Sequence, residues 1–369
     1  MGPPQPVGYS LPGNKAIIAV HASREPLKFK GDMMHNKFVV VDRAIVWTGS
    51  TNLSDTGTGG YNANIAAVIK SKIVARWYTD EFEQMHKSGQ YHREKQINGR
   101  DVALHTTLDD GSMLQAAFSP QGYAMERLLR PLIRNANDSI DIAIFFLTHK
   151  RIAGDLIKAH NRGVSVRVIV DATGAKNGYT KHEVLRGAGI PLKVENWGGK
   201  MHMKSAIIDH RYVILGSMNW TSAGERDNDE NTLVIESTSV ANELSKFYET
   251  LWSGIPDSWL SGNPDPESKD SGSSCEDGID NDFDDHIDLE DPGCNSNPPP
   301  LPDLPPYQIV PKDDGNELIK GNINTRGERY YFLPTDKYYS RTKIDISKGE
   351  RWFPSVDEAR ESGWTRYDR

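Results

Sequence analysis

The sequence predicts an α/β protein, a two-lobed mixed-sheet sandwich with helices on the outer faces, followed by a linker and a small C-terminal α+β module. Three observations predict this fold. One motif occurs twice, strand and helix patterns alternate through residues 14–254, and the composition changes after residue 254. The 369 residues exceed one typical domain, which agrees with several compact units.

The repeated motif has the form H-x-K-x4-D-x6-G-S-x-N. Its copies begin at His35 and His202 and align without gaps from the histidine to the asparagine. A period of this length is too long for a solenoid and indicates a duplicated lobe. The first copy contributes His35, Lys37, Asp42, Gly49, Ser50 and Asn52, and the second contributes His202, Lys204, Asp209, Gly216, Ser217 and Asn219.

Between and after the copies, the periodicity predicts a regular succession of elements. In order these are a buried strand over 139–148, an amphipathic helix over 149–162, a parallel-type strand over 164–171, a short helix over 181–187, strands over 204–209, 212–216 and 232–236, and a closing helix over 239–252. The same closing pattern follows the first copy at 73–86.

The first lobe is expected to be truncated. The stretch that precedes His35 is much shorter than the stretch from Phe118, where the second lobe begins, to His202. The strands and crossover helix of that longer stretch have no counterpart in the first lobe. The chain is therefore a fragment, has an alternative start, or completes its sheet as a homo-oligomer, and an inactive pseudoenzyme stays open. We divide it into a truncated first lobe at 14–95, a complete second lobe at 115–254, a linker at 255–306 and a module at 307–369.

The motif residues suit phosphate chemistry. Side chains alternate along a strand, so the histidine and lysine of each copy point to one face. Lysine, asparagine and serine donors suit a tetrahedral oxyanion, and glycine permits close backbone approach. Two facing sets would hold one phosphodiester between two histidines, whose ordinary pKa of ~6.5 allows one neutral and one protonated imidazole near neutrality.

This paired motif resembles the mark of the phospholipase D superfamily over residues 14–254. The resemblance implies one shared site in which one histidine attacks phosphorus, the other protonates the leaving oxygen, and catalysis needs no metal cofactor. It gives the motif aspartates a structural role. The implied catalytic residues are His35, Lys37, Asn52, His202, Lys204 and Asn219, with Ser50 and Ser217 supporting the phosphate.

The resemblance also places a carboxylate at a set distance after the second histidine, at Glu230, and implies that it orients His202. The same distance from His35 reaches Ala63, so we expect His35 to have no acidic partner. A carboxylate raises the pKa of a neighbouring histidine, which favours His202 as the acid and His35 as the nucleophile. The opposite assignment stays open, because Glu230 would also stabilise a cationic phosphohistidine.

The charge distribution bears on the substrate. The net charge is −8, but residues 263–291 carry 12 acidic residues and one lysine, which leaves 30 basic and 27 acidic residues in 1–262. A mildly basic catalytic region without a lipid-docking amphipathic helix favours DNA or RNA, with phospholipid as the alternative. We expect no transmembrane segment, because no apolar run approaches ~20 residues.

The linker composition, rich in Pro, Gly, Ser and Asp, predicts disorder. Within it, aspartates stand at positions 1, 3, 5, 9 and 12 of a calcium loop, although Asp285 replaces the turn glycine. The segment resembles Asp-rich calcium repeats of exported bacterial proteins, which implies a structural calcium, a Cys275–Cys294 disulfide and a secreted or extracytoplasmic location. A metal-free acidic tether is the alternative. The predicted ligands are Asp280, Asp282, Asp284, Asp288 and Asp291.

The two ends of the chain carry less information. Residues 318–366 regain aromatic residues and resemble a small module appended to exported bacterial nucleases. The first residues, Met1 to Pro6, have neither a basic nor an apolar region, so we expect no signal peptide in this chain.

Overall fold

The computed structural model describes residues 32–96, 104–282, 284, 286–295 and, towards the C-terminus, 319–367 apart from short gaps. Those gaps are residues 325, 334, 345–347, 349, 354–355 and 362. The chain forms two compact units. The first extends to Cys294 and holds both copies of the motif, and the second comprises Asn295–Arg369 with the short segment Lys176–Tyr179.

The first lobe is a three-stranded antiparallel sheet with one long helix packed against it. Its elements are β1 (Phe38–Val41), β2 (Ile45–Gly49), α1 (Asp55–Thr58), β3 (Ala66–Lys70) and α2 (Lys72–His86), with β2 in the middle of the sheet. Ser71 caps α2 by accepting the Val74 N–H, and Val74 and Tyr78 are fully buried.

The second lobe is built on an eight-stranded mixed sheet in the order β4-β5-β11-β10-β9-β6-β7-β8. Its elements are β4 (Leu104–Thr107), β5 (Met113–Ser119), a π-helical turn (Met125–Leu129) that continues into α3 (Arg130–Asn135), β6 (Ser139–Ile144), α4 (Lys150–Asn161), β7 (Ser165–Val170), α5 (Ala172–Lys176), α6 (His182–Gly187), β8 (Leu192–Val194), β9 (Lys204–Ile208), β10 (Tyr212–Gly216), α7 (Ser222–Arg226), β11 (Glu230–Glu236) and α8 (Thr238–Gly254). Strands β6, β7 and β8 run parallel, and the other neighbours run antiparallel.

Two apolar cores hold this unit together. One lies between the large sheet and its helices and contains Ile142, Leu156 and Leu185. The other contains Val46 and Tyr78 of the first lobe together with many residues of the second, so the two lobes share it. Because each sheet buries one face in this common core, the predicted α/β class and two-lobed sandwich are confirmed.

The motif aspartates lie in two matching hairpin turns. Asp42 and Arg43 have φ of 50° and 53°, and Asp209 and His210 have φ of 53° and 49°. Two successive residues of positive φ make a tight turn whose twist suits antiparallel strands. The Asp209 carboxylate also accepts the N–H groups of residues 137, 138 and 139 at 2.8–3.1 Å, which pins the turn to the start of β6. Asp42 is exposed.

The described residues between 255 and 295 pack on the second lobe, which corrects the expectation of a disordered linker for this part. Gly272 exchanges backbone hydrogen bonds with the 196–198 segment, and Lys193 Nζ donates to Ile255 O at 2.6 Å. Glu267 and Ser274 are fully buried. Composition failed here because the segment buries polar residues that are hydrogen-bonded rather than apolar surface. Residues 296–318 lie outside the described residues.

The C-terminal unit is a small α+β module. Its elements are β12 (Ile319–Ile323), β13 (Arg329–Phe332), β14 (Arg351–Phe353), α9 (Val356–Glu361) and β15 (Thr365–Arg366), and the sheet order is β14-β12-β13-β15. Tyr331, Phe353 and Trp364 form its core, with the Phe353 and Trp364 rings 5.4 Å apart. Among the described residues of the whole chain, no helix is both long and apolar enough to span a membrane.

The Asp209→Ala variant tests the role of the turn. Removing three charge-assisted hydrogen bonds should lower the free energy of unfolding by about 2 kcal/mol, measured by urea denaturation. Asp42→Ala is the matched control, because it places alanine at the same positive φ without removing those bonds. Equal losses in the two variants would contradict the prediction.

Candidate active site

Each motif histidine lies on a segment that pairs with the opposite lobe. Met34 and Asp229 form one short parallel bridge, and Ala63 and Met201 form the other. His35 N donates to Asp229 O at 2.9 Å, and His202 N donates to Ala63 O at 2.9 Å. This reciprocal crossing brings both motif copies into one site.

Glu230 contacts His35, not His202, so the sequence-based pairing is wrong. Its Oε2 lies 2.7 Å from His35 Nδ1, and Ser217 Oγ donates to the same oxygen at 2.6 Å. Asn228 Nδ2 donates to Oε1 at 3.1 Å. The physical reason is the crossing described above: Glu230 begins β11 directly after Asp229, whose carbonyl binds the His35 backbone, so its side chain meets the first-lobe histidine.

His202 is paired with an amide from the first lobe. Its Nδ1 lies 3.1 Å from Asn64 Oδ1, which also accepts a hydrogen bond from Ser50 Oγ at 2.9 Å. His35 therefore has an acidic partner, Glu230, and His202 has a neutral partner, Asn64.

Asn64, not Ala63, is the structural counterpart of Glu230. Ser50 N donates to Ile65 O at 2.8 Å, and Ser217 N donates to Asn231 O at 3.0 Å, so Ile65 matches Asn231. The first lobe has one extra residue between its motif and β3. The sequence distance that leads from His202 to Glu230 therefore leads from His35 to Ala63, one position before Asn64. The signal was present in the sequence, because the offset between Ala67–Ile69 and Leu233–Ile235 is one position smaller than the offset between the two histidines.

Both motif lysines are buried beside their own histidines. Lys37 Nζ donates to His35 O at 2.8 Å, and Lys204 Nζ donates to His202 O at 2.7 Å. Their exposed fractions are 9% and 1%. Burial lowers the pKa of Lys37 to about 8 and lowers the pKa of Lys204 as well.

The two motif serines have a different task from the one predicted. The Ser50 and Ser217 hydroxyl protons are donated to Asn64 and Glu230, so these serines orient the partners of the histidines and do not donate to phosphate. Both serines are fully buried.

The remaining motif positions differ between the lobes. Asn52 is exposed, whereas Asn219 is half-buried and its Oδ1 atom has no access to solvent. Gly49 and Gly216 each lie against the backbone of a neighbouring segment, where no side chain fits. A Cβ added to Gly49 would lie 2.1 Å from Ile65 O, and a Cβ added to Gly216 would lie 2.2 Å from Asn231 O.

The electrostatics of the two histidines are unequal. Burial lowers the pKa of His202 to about 2, with Lys204, Lys37 and His35 adding to the effect. Burial also lowers the pKa of His35, but Glu230 opposes it. The expectation that Glu230 raises the pKa of His202 is therefore wrong, and the carboxylate acts on His35.

The structure does not bring the five predicted calcium ligands together into one group. Carboxylate oxygens of Asp282, Asp284 and Asp291 lie within 4.8 Å of one another, as do those of Glu267, Asp280 and Asp282. Glu267 was missed because it lies outside the loop spacing. Asp288 belongs to neither group, since its carboxylate accepts the Asp277 and Gly278 N–H groups. Such oxygen sets suit calcium, and its binding stays a prediction. The predicted Cys275–Cys294 disulfide is present.

Comparisons with known proteins agree on one family. Residues 12–86 and 129–252 match the family model described as cardiolipin synthase, PLD-like domain. Human mitochondrial cardiolipin hydrolase is 34% identical over 129 residues, 35% of this chain and 51% of that protein. Phospholipase D of Rickettsia felis is 31% identical over 141 residues, 38% of this chain and 68% of that protein. The chain thus spans about half the length of the human relative.

Among solved structures, this fold is similar to Nuc, a phospholipase D family member from Salmonella typhimurium. The TM-score is 0.38 at 28% identity, covering 39% of this chain and 97% of Nuc. Phosphatidylserine synthase from Haemophilus influenzae gives a TM-score of 0.47 at 14% identity, covering 60% of this chain and 62% of that one.

The depressed pKa of His202 predicts a loss of stability in acid. The folded protein binds fewer protons than the unfolded chain between pH 6.5 and about 2, so the free energy of unfolding falls as the pH falls below 6.5. His202→Asn should reduce this dependence by up to about 1.4 kcal/mol per pH unit. Denaturation curves at pH 7, 6 and 5 measure it, with His105→Asn on β4 as the exposed control. Parallel pH dependences of wild type and His202→Asn would contradict the prediction.

Proposed function

The chain belongs to the phospholipase D superfamily, and we propose that it hydrolyses phosphodiester bonds through a covalent phosphohistidine intermediate. One observation carries the proposal: two histidines from different lobes lie at one site, each with its Nδ1 at an acceptor from the opposite lobe and a lysine beside it. Because the Nδ1 atoms are engaged in this way, we propose that the two Nε2 atoms face the substrate.

His35 is proposed as the nucleophile. The hydrogen bond to Glu230 keeps the proton on Nδ1 and the lone pair on Nε2, which is the tautomer that attacks. When Nε2 bonds to phosphorus, the ring gains positive charge. Glu230 is buried and 2.7 Å from that ring, so it stabilises the charge as it forms, whereas the neutral Asn64 beside His202 does not.

His202 is proposed as the general acid and then the general base. As the N–P bond forms and the P–O bond to the leaving group breaks, protonated His202 gives its Nε2 proton to the leaving oxygen. Neutral His202 next takes a proton from water, whose oxygen attacks phosphorus and breaks the N–P bond. One water is consumed, and both histidines return to their starting states.

The substrate is proposed to complete the protonation of the acid. Without it, burial lowers the pKa of His202, and Lys204 and Lys37 lower it further. A phosphodiester held by these two lysines brings a negative charge that opposes them and raises the pKa of His202. Proton transfer is thereby coupled to substrate binding.

Nucleic acid is proposed as the substrate, because residues 1–262 carry a slight excess of basic residues. A cavity of about 600 Å³ in the same unit is lined by Arg93, Arg226, Gln121 and Tyr123, together with Pro120, Glu126 and Glu225. Arginine suits phosphate oxygens, and an exposed tyrosine suits a base.

Phospholipid is the second candidate substrate, and a specific feature favours it. An apolar cavity of about 250 Å³ is lined by Met34, Phe38, Phe82, Met85 and Tyr91, with Asn36 and His86. Met34 and Asn36 flank His35 in the chain, and Met33, Met34 and Phe82 are exposed near this cavity. Two of the relatives, mitochondrial cardiolipin hydrolase and phospholipase D, are named for phospholipid substrates.

The disulfide also supports a location in an oxidising compartment outside the cytoplasm. Completion of the first lobe by a homo-oligomer stays a prediction.

Parallel assays on plasmid DNA and on phosphatidylcholine vesicles, all with EDTA present, test the function. We expect hydrolysis of one substrate in EDTA, reduced by at least about 10³-fold in His35→Ala and His202→Ala. His105→Ala should retain activity. Mass spectrometry after acid quenching should find phosphate on His35.

The outcomes are distinct. Phosphate on His202 would reverse the roles of the histidines. Loss of turnover in EDTA with no change in the thermal unfolding curve would refute catalysis without metal, because removal of the predicted structural calcium would change that curve. No turnover of either substrate or of bis(p-nitrophenyl) phosphate would favour the inactive pseudoenzyme.

Asn64→Asp tests whether the unequal partners set the roles of the histidines. A carboxylate beside His202 should raise its pKa, so the fall in kcat at alkaline pH, which reports the pKa of His202 in the substrate complex, should move up by about one pH unit. Asn161→Asp, at the exposed end of α4, makes the same chemical change far from the site and should leave the profile unchanged. Coincident profiles for Asn64→Asp and the wild type would contradict the assignment.

A further inference from the structure

Two buried carboxyl groups outside the proposed mechanism lie next to the His202 segment. Asp171 follows β7 and Glu195 follows β8, at the carboxyl ends of two neighbouring parallel strands. Their exposed fractions are 0% and 1%. Two carboxylates without solvent repel strongly, so their presence here needs an explanation.

Backbone N–H groups from three segments bind all four carboxyl oxygens. Asp171 accepts from Gly174 at 2.7 Å and from Met201 at 3.0 Å. Glu195 accepts from Ala172 at 2.8 Å and from Trp197 at 3.2 Å. The pair therefore joins the ends of β7 and β8 to the residue before His202.

The two carboxyl groups are neighbours, because Glu195 N donates to Val170 O at 3.0 Å and Glu195 Oε1 accepts the Ala172 N–H at 2.8 Å, on either side of Asp171. A carboxylate cannot donate, so two neighbouring carboxyl groups can hydrogen-bond to each other only when one of them holds a proton. Burial raises the pKa of both, and the charge on Asp171 further raises the pKa of Glu195. Burial and the short separation along the two strand ends therefore favour one proton and one negative charge on the pair.

The charges that face this pair are cationic. Lys200 and Lys204 both act on Asp171, and Lys200 is itself influenced by Glu195, Asp280 and Asp282. Lys204 is the motif lysine, whose Nζ donates to His202 O. One shared negative charge suits these cationic surroundings, whereas a second would add repulsion between two neighbouring buried carboxylates.

We propose that Asp171 and Glu195 are positioning residues for His202, joined by a single shared proton. Through Met201 N–H they seat the segment that pairs with Ala63 and carries His202 into the site. Loss of the shared proton drives the two carboxylates apart and displaces that segment. The catalytic part of this inference rests on the proposed function.

The test compares Glu195→Gln with Glu195→Ala. Glutamine can donate to Asp171 and keeps the single negative charge, so Glu195→Gln should retain kcat within about threefold at pH 7. Because glutamine cannot lose the shared proton, the activity of this variant should fall less at alkaline pH than that of the wild type. Glu195→Ala should lower kcat at least about tenfold at all pH values. Glu350→Gln is the control, because Glu350 is also buried and accepts the Ile323 N–H but belongs to the C-terminal unit, and its pH profile should match the wild type.

Stability gives a readout that does not need turnover. A raised pKa in the folded state means that the free energy of unfolding falls as the pH rises from about 4.5 through the pKa of the pair. Glu195→Gln should flatten this fall relative to the wild type, and the exposed Glu243→Gln should not.

An unchanged slope in Glu195→Gln, or full activity in Glu195→Ala, overturns the proposal. A flattened slope in a protein that hydrolyses no substrate would instead refute the proposed function and retain the shared proton.

Discussion

The hydrogen bond between His35 and Glu230 crosses from one lobe to the other, and the site depends on that crossing. Because each histidine takes its Nδ1 partner from the opposite lobe, neither lobe alone makes a complete site. The parallel bridges at Met34 and Ala63 add backbone hydrogen bonds to the same contact. The shared apolar core beneath them keeps the crossing in place.

The duplication provides similar scaffolds, and small differences between the copies give them unequal chemistry. In the first copy, the Asn64 amide occupies the position that corresponds to the Glu230 carboxylate in the second copy. One extra residue before β3 brings Asn64 to that place. The unequal partners make the two histidines electrostatically different although their motifs are identical, which suits a reaction that needs a nucleophile and an acid.

The acidic segment belongs to the catalytic unit. The Tyr61 hydroxyl donates to Asp277, and Lys200 Nζ donates to Asn281 O, so this segment touches both lobes close to Ala63 and Met201. The disulfide closes it into a loop. A composition that is typical of a solvated linker thus forms part of the support for the His202 segment, together with the Asp171 and Glu195 pair.

The sequence alone determined the α/β class, the duplication and the motif residues, because periodicity and a gap-free repeat report local structure and shared ancestry. The disulfide was implied only by the resemblance to calcium-repeat segments, and the structure contains it. Only the tertiary structure decided which histidine Glu230 contacts, that Asn64 is its counterpart, and that Ser50 and Ser217 serve these partners. It also showed that the described residues between 255 and 295 are packed on the second lobe. These contacts join positions far apart in the chain across a lobe boundary, or depend on polar burial, and neither hydrophobic spacing nor composition encodes them.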